Sequence, residues 1–337
     1  MNNIYKKSPF AHTISNSILF YRSINERFKS KSDRFSDKYY TSEYSKKIKS
    51  EKMVVMMVDG RHPHGGLTDR LRGCLSVFQL CKELNIPFHI NFDYPFNLSQ
   101  YLLPNRYDWS IFKESINYHN VYSKPIIVDC LDAIGESIFD RHILKKSIAN
   151  KDGIQFHVYT NAHFGEHLFA RSFHELFKPS PLLHEAIDIN KHLIGKKYES
   201  ATFRFQQLLG DFKEGDPSIY KVLANPEREK LIRKCKDKLY WYLDSIPDEN
   251  KLLVTSDSIT FLNEVARNDR IYIIPGNIAH MNYSTDNDKV FLKSFIDLFM
   301  LMEAEKIALF QTDDMYNSGF PRFAGLLGNK PSKHYKF

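Results

Sequence analysis

The sequence predicts an α/β fold of two domains, each a parallel β-sheet covered by helices, that face each other across a cleft behind a basic leader. Short apolar runs alternate with amphipathic segments, as in parallel sheets with crossover helices. A chain of 337 residues, 42% of them hydrophobic, is long enough for two domains. The net charge of +7 lies in one segment. We therefore expect a leader over residues 1–50 and domains over residues 51–195 and 196–337.

The leader carries the charge of the chain. Residues 1–50 contain 11 Lys and Arg against 4 Asp and Glu, an excess equal to the net charge of +7. A basic segment dotted with Tyr and Phe favours peripheral contact with an anionic membrane surface. The alternative is a solvated, partly helical leader. Nucleic acid is not expected as a partner, because the rest of the chain is neutral overall and contains no nucleic-acid-binding motif.

The composition also indicates a compartment. No apolar run reaches the about 18 residues that a membrane span requires, and the N-terminus lacks a signal-peptide pattern. The 4 cysteines form no CxxC pair and do not stand at zinc-ligand spacing with histidine. Unpaired cysteines are typical of a reducing compartment. We therefore expect a cytoplasmic protein, peripheral at the inner membrane if the leader docks there, with no metal site.

Apolar periodicity predicts the order of the elements. Strands are expected at 53–58, 86–91, 125–128, 154–159, 200–205, 251–255, 271–274 and 306–310. Helices are expected at 70–84, 135–149, 166–178, 181–195, 227–244, 259–267, 288–304 and 321–327.

A glycine turn after the first strand is a candidate binding site. Gly65 and Gly66 let the backbone approach a ligand closely, because no Cβ stands in the way. The helix that follows carries Arg70 in its first turn, where the macrodipole disfavours a cation, so this residue indicates an anionic partner such as phosphate. The alternative is an ordinary turn with solvated arginines. His62 and His64 border the turn and are candidates for contact with the acceptor or for proton transfer. The alternative is that they only stabilise a structured loop.

Four polar residues of the second half stand at apolar elements or at their ends. Arg204 lies in an apolar strand, and its planar fork suits phosphate oxygens unless it pairs with a local carboxylate such as Asp211. Asp297 lies in an apolar helix and needs a purine edge, a neighbouring arginine or solvent. Asp257 stands at the carboxyl end of a strand, where capping of the following helix is enough to explain a polar residue. Ser318 joins the last strand to a helix, either for phosphate binding or as a cap.

Five motifs, taken in order, resemble the fucosyltransferase superfamily with its GT-B-like fold of two Rossmann-like domains. This superfamily includes core α1,6-, nodulation-factor, protein O- and bacterial α1,2-fucosyltransferases. The motifs are Gly65-Gly66-Leu67-Thr68-Asp69-Arg70-Leu71, Thr202-Phe203-Arg204 with Gly210-Asp211, Val254-Thr255-Ser256-Asp257-Ser258, Ile296-Asp297-Leu298-Phe299-Met300-Leu301 and Ser318-Gly319-Phe320-Pro321-Arg322. Thr202 stands where the family has a histidine.

The resemblance implies an inverting, metal-independent glycosyltransferase of bacterial polysaccharide biosynthesis that moves fucose from GDP-fucose to a hydroxyl of a surface glycan, which could be lipid-linked. The first domain then faces the acceptor, the second binds the nucleotide sugar, and no cofactor is needed. Arg204 and Ser318 would bind the β-phosphate and Asp297 would contact guanine. The implied residues are Arg204, Asp211 and Glu214 for catalysis; Gly65, Gly66, Arg70, Arg204, Asp257, Asp297, Ser318, Gly319, Phe320 and Arg322 for the donor; and His62, His64 and Asp69 for the acceptor.

Two other functions remain open. A GT-B transferase that uses another nucleotide sugar, such as a heptose or another deoxyhexose donor, is favoured by Thr202 in place of the family's histidine. A non-catalytic nucleotide- or sugar-binding α/β protein is favoured by the basic leader and by the lack of a clear general base, for which Asp211, Glu214 and Asp69 compete. Binding that is selective for GDP compounds would favour the fucosyltransferase.

Overall fold

The structure is a computed structural model that describes residues 9–42, 51–129, 138–149, 154–211, 222–276 and 288–337. The chain divides into two compact units. The first comprises Met1–His64, Asp69–Phe92 and Trp109–Gly165, and the second comprises Gly65–Thr68, Asp93–Asp108 and Glu166–Phe337.

Helices and strands alternate along most of the chain. The strands are β1 Met53–Val58, β2 Phe88–Phe92, β3 Leu102–Pro104, β4 Ser123–Val128, β5 Gln155–Thr160, β6 Phe177–Pro179, β7 Tyr198–Phe203, β8 Lys251–Ser256, β9 Ile271–Tyr272, β10 Ile307–Gln311 and β11 Ser332–Lys336. The helices are α1 Pro9–Tyr39, α2 Leu67–Leu84, α3 Ile138–Ala149, α4 Phe169–Leu176, α5 Pro181–Ile194, α6 Asn225–Leu243, α7 Ile259–Val265, α8 Leu292–Glu303 and α9 Gly319–Gly328. Short 3-10 helices occupy Leu98–Gln100, Lys113–Ser115, Glu166–Leu168 and Asp288–Phe291.

The first unit is built on a parallel sheet with strand order β2-β1-β5-β4. β1 reads Met-Val-Val-Met-Met-Val and is buried along almost its whole length, as a central parallel strand must be. α2 crosses this sheet closely at Gly73, where an added Cβ would stand 2.4 Å from the carbonyl oxygen of Thr160. All the strands point the same way, so their carboxyl ends share one edge of the sheet.

The second half of α1 belongs to the core of the first unit. Phe28 and Phe35 are buried, and the Phe35 ring packs 4.7 Å from that of Tyr159. The Ser32 hydroxyl accepts a hydrogen bond from the Ile127 N–H at 3.0 Å. The leader is therefore not a free arm along its whole length, because this part of it covers β4 and β5 with apolar side chains.

The second unit is built on a parallel sheet with strand order β11-β10-β7-β8-β9. Stacked aromatic rings fill one side of it, with Phe203 5.0 Å from Phe310 and 4.7 Å from Phe261. β3 and β6 add a small antiparallel pair. α5 packs with this unit, since the Tyr272 hydroxyl bonds Asn190 at 2.7 Å.

The α/β class with parallel sheets is confirmed, and the expected strands and helices appear within a few residues of their predicted bounds. Residues 135–137 of the helix expected at 135–149 lie outside the described residues. β3 was not expected, and three further features differ. β11 was not expected, because its polar sequence hides an edge strand. The helix expected at 166–178 ends at Leu176, where the chain enters β6. The boundary expected at residue 195 does not coincide with the compact units, because α4 and α5 pack with the second one.

Candidate functional site

Arg204 stands directly after β7, at the carboxyl edge of the second sheet, and Asp257 holds it there. The Arg204 Nε lies 3.3 Å from Asp257 Oδ2, and the Asp257 side chain is almost fully buried. Asp257 also accepts hydrogen bonds from the N–H groups of Phe205 at 2.8 Å and Gln206 at 2.6 Å. Burial raises the pKa of Asp257, while the Arg204 charge and the backbone donors lower it. Asp257 therefore orients Arg204 and fixes the loop that follows it.

Asp211 does not pair with Arg204 but accepts hydrogen bonds at the start of α7. Its Oδ2 accepts from the Ser258 hydroxyl at 2.8 Å and from the Thr260 N–H at 2.6 Å. The Ser258 hydroxyl in turn accepts from the Phe261 N–H, as an N-cap does. Glu214, the other carboxylate considered for catalysis, lies outside the described residues.

The loop before α9 lies beside Arg204. The Tyr316 N–H donates to the Arg204 carbonyl oxygen at 3.2 Å. Two residues on, Ser318 caps α9 by accepting from the Phe320 N–H at 3.3 Å, and its own hydroxyl proton can still be donated. Gly319 is the first residue of α9. This arrangement brings a fixed guanidinium and a helix N-terminus to the same edge of the sheet, a combination that suits an anion.

Arg322, on the first turns of α9, is exposed and bonds Glu166 at 2.9 Å. Its partner is therefore a carboxylate of the same unit. The half-exposed side chain of Arg322 makes this pair a weak constraint.

Asp297 is held by a cation one helical turn earlier. Its carboxylate receives the Lys293 ammonium at 2.9 and 2.8 Å, and the two side chains are 14% and 6% exposed. Burial raises the pKa of Asp297, and Lys293 opposes that rise. The side chain therefore faces neither open solvent nor an arginine, the alternatives that the sequence left open for it.

Thr202, which replaces the histidine of the family motif, is used inside the sheet. It is buried and pairs in register with Thr255 of β8, and their hydroxyl oxygens are 2.8 Å apart. This hydroxyl is therefore part of a β7–β8 contact.

Asp129 contacts two side chains, those of His62 and Lys31, at the carboxyl edge of the first sheet. Its Oδ1 lies 2.7 Å from the His62 Nε2, and its Oδ2 receives the ammonium of Lys31 from α1. Burial alone would raise the pKa of Asp129, but the bonds from His62 and Lys31 outweigh it and the pKa lies at about 2. Asp129 is therefore a carboxylate at neutral pH.

The glycine turn follows β1 in the chain and precedes α2. Gly65 adopts φ of 76°, which only glycine tolerates easily, and Gly66 is exposed. Arg70 is buried, with its guanidinium 5.7 Å from the centre of the Phe92 ring. Asp69 is half-buried.

His64 is a neutral buried ring. Its Nδ1 lies 2.8 Å from the His62 carbonyl oxygen, so it donates the proton there. Burial is the largest cause that lowers the pKa of His64 to about 3, and its neighbours His62 and Arg70 lower it further.

Sequence reasoning missed three residues of these clusters. Asp129 follows the strand-like run 125–128, so its place at a strand end was available as a signal. Lys293 stands four residues before Asp297 on the same helix, a spacing that predicts an ion pair. Lys31 gave no such signal, because only the tertiary fold brings α1 to β4.

Within the described part of the chain, no group of three or more His, Cys, Asp or Glu side chains is arranged to hold a metal ion. None of the helices described is long and apolar enough to cross a membrane.

Solved fucosyltransferases have similar structures. NodZ alpha-1,6-fucosyltransferase soaked with GDP-fucose matches with a TM-score of 0.51 and 12% identity, over 82% of this chain and 93% of that one. Fucosyltransferase NodZ from Bradyrhizobium matches with a TM-score of 0.50 and 10% identity, over the same shares of 82% and 93%. A variant of Arabidopsis thaliana FUT1 in complex with GDP matches with a TM-score of 0.52 and 11% identity, over 98% of this chain and 80% of that one.

The sequence comparisons find less. No protein-family model matches the sequence, and no curated protein matches it. At identities of 10–12% the structural likeness shows the fold alone, and the chain therefore has the GT-B-like fold of these fucosyltransferases.

Proposed function

We propose that this protein is an inverting, metal-independent glycosyltransferase that moves fucose from GDP-fucose to a hydroxyl of a surface glycan. The observation that carries the proposal is Arg204, fixed by Asp257 at the carboxyl edge of a parallel sheet and next to the start of α9. Open α/β sheets bind ligands at this edge. The shared fold supports the donor class, because the matched structures hold GDP or GDP-fucose.

Arg204 has a clear catalytic task in this proposal. When the bond between the sugar and the β-phosphate breaks, negative charge grows on the leaving GDP. A guanidinium that is already oriented stabilises that charge more in the transition state than in the ground state. The Ser318 hydroxyl and the N-terminus of α9 add donors on the same anion. This arrangement supplies the charge stabilisation for which other enzymes use a divalent cation.

Asp297 is the proposed contact for guanine. A carboxylate accepts hydrogen bonds from the N–H groups of a guanine edge, and the ion pair with Lys293 favours the ionised form that does so. Gly65, Gly66 and Arg70 remain proposed donor contacts, as does Arg322 of α9.

Substitution of Arg204 tests the proposal. We expect Arg204→Ala to weaken GDP binding about 10- to 100-fold, as for loss of a hydrogen bond to a charged group, and to abolish GDP release from GDP-fucose. Arg204→Lys should recover only part of the affinity, because an ammonium cannot reproduce the bidentate fork. The measurement is isothermal titration calorimetry with GDP, beside an assay of released GDP.

Arg233→Ala is the matched control, because Arg233 is exposed on α6, away from the carboxyl edge of the sheet. It should leave both measurements at the wild-type level. Full GDP affinity and full turnover in Arg204→Ala would sink the proposal. EDTA should change neither measurement, and a loss of turnover that Mg²⁺ restores would show that the metal-independent mechanism is wrong.

A second donor class is favoured by one observation. Thr202 is engaged with Thr255 inside the sheet and offers no imidazole at the place where the family has one. The same titration with UDP, ADP and CMP therefore decides the donor: tighter binding of one of these than of GDP would indicate a heptose or another deoxyhexose transferase. Nucleotide binding without turnover would instead indicate a non-catalytic binding protein.

A further inference from the structure

Asp129 and Lys31 orient the imidazole of His62. Asp129 is ionised, so the His62 Nε2 at 2.7 Å from it must carry a proton. Lys31 holds the other carboxylate oxygen and keeps the carboxylate in place. In the neutral ring with the proton on Nε2, Nδ1 of His62 presents a lone pair. Within the described residues no hydrogen bond engages this Nδ1.

Aromatic rings fix the position of the His62 ring. Its centroid lies 6.5 Å from that of Phe35, 6.1 Å from that of Tyr159 and 5.5 Å from that of His64. The side chain is 6% exposed, so it has little freedom to turn. His62 follows β1 by four residues, at the carboxyl edge of the first sheet, where ligands of α/β sheets bind.

We propose that His62 is the general base that takes the proton from the acceptor hydroxyl, and that Asp129, held by Lys31, is its positioning residue. The inference rests on the proposed glycosyltransferase function. The acceptor oxygen forms a bond to C1 of the sugar while the bond from C1 to the β-phosphate oxygen breaks and GDP leaves with that electron pair. The hydroxyl proton moves to Nδ1, and Asp129 stabilises the imidazolium that results.

Asp211, one of the carboxylates that the sequence offered as bases, is less suited than His62. Asp211 Oδ2 already accepts two hydrogen bonds at the start of α7. An imidazole oriented by a carboxylate is the usual arrangement of an activating base, because the second group fixes the tautomer and the direction of the lone pair.

The test measures GDP release from GDP-fucose, with water alone and with galactose, N-acetylglucosamine and mannose as acceptor probes. His62→Ala should lower kcat about 100-fold or more, as general-base catalysis contributes about 10²- to 10⁴-fold. The affinity for GDP should stay unchanged. Free imidazole should restore part of the kcat, because it can occupy the vacated space. Asp129→Asn should lower kcat without changing the KM for GDP-fucose, and imidazole should not rescue it.

His119→Ala is the matched control. His119 is 8% exposed, close to the 7% of His62, and its Nδ1 accepts a hydrogen bond from the Val121 N–H within its own loop. It should keep the wild-type kcat and should not respond to imidazole. A wild-type kcat in His62→Ala would overturn the base assignment, as would joint loss of GDP affinity and kcat without rescue. Failure of the wild type to bind GDP-fucose would instead overturn the proposed function.

Discussion

Three carboxylates of the two units are buried or half-buried beside a specific cation. Asp257 meets Arg204, Asp297 meets Lys293, and Asp129 meets Lys31. An isolated buried charge is costly, so the partner decides whether the ionised form survives folding. These pairs serve orientation as much as stability: Asp257 aims a guanidinium and Asp129 aims an imidazole.

The Lys293–Asp297 pair gives a stability prediction. Lys293→Met leaves a carboxylate without its partner and should lower the free energy of unfolding by about 3–5 kcal/mol, measured by urea denaturation. Burial already raises the pKa of Asp297 in the folded chain. A raised folded pKa means that the folded state binds a proton before the unfolded state does, so stability rises as the pH falls. The deficit should therefore shrink between neutral and mildly acidic pH.

Lys191→Met is the control for this prediction. Lys191 and Glu303 are each 42% exposed and 2.7 Å apart, and exposed pairs contribute about 1 kcal/mol or less. A deficit of the same size in both variants, or one that grows on acidification, would show that Asp297 is not a buried ionised group.

At the scale of the elements, α2 packs closely against the first sheet because Gly73 has no side chain. The glycine turn precedes α2 directly and the buried Arg70 lies on it, so the position of α2 sets the position of both. Gly73 allows the helix backbone to approach β5, because the Thr160 carbonyl oxygen occupies the space that a Cβ would need. The glycine is therefore required by packing, although glycine weakens a helix by itself.

Gly73→Ala tests this contact. The backbone carbonyl at 2.4 Å cannot turn away as a flexible side chain could, so α2 must shift. We expect a net loss of about 1–3 kcal/mol in the free energy of unfolding, despite the better helix propensity of Ala. Lys82→Ala, at an exposed position of the same helix, should change it little. Stabilisation by Gly73→Ala would contradict the close approach.

At the scale of the whole molecule, the basic leader and the first unit are continuous. α1 inserts Phe28 and Phe35 into the core and sends Lys31 to Asp129, while the Tyr40 hydroxyl bonds His157 at 2.6 Å. Arg27, Lys29 and Lys38 remain exposed. A helix with one face anchored in a domain can still bring the basic residues of its exposed side to an anionic surface, and these residues stand there beside the exposed acids Glu26, Asp33 and Asp37.

We propose that this exposed side of α1 contacts anionic membrane, and charge reversal tests it. Arg27→Glu, Lys29→Glu and Lys38→Glu together should weaken binding to phosphatidylglycerol vesicles at least about tenfold, since each basic residue near such a surface contributes about 1 kcal/mol. Phosphatidylcholine vesicles should not bind. The triple control Lys196→Glu, Lys197→Glu and Arg233→Glu makes the same charge change on the second unit. Equal losses in both triples would contradict a specific role for α1.

Much of the fold could be predicted from local patterns, and the exceptions have physical causes. β1 and β10 are buried apolar runs between turn residues, which is a strong signal for a parallel strand. β11 has an exposed, Lys-rich sequence, as edge strands often do, and periodicity does not reveal it. The resemblance of five motifs led to the fold that the structural likeness shows, although no sequence comparison detects a relative.

The sequence by itself determined the α/β class, the order of the main elements and a set of candidate polar residues at strand ends, because apolar period, glycine and proline act over a few neighbours. Only the tertiary structure decided the partners of those residues. Arg204 meets Asp257 across 53 positions of chain and His62 meets Asp129 across 67, separations over which sequence pattern carries no information about contact. Strands that pair in parallel bring their carboxyl ends together, and that pairing depends on the whole sheet.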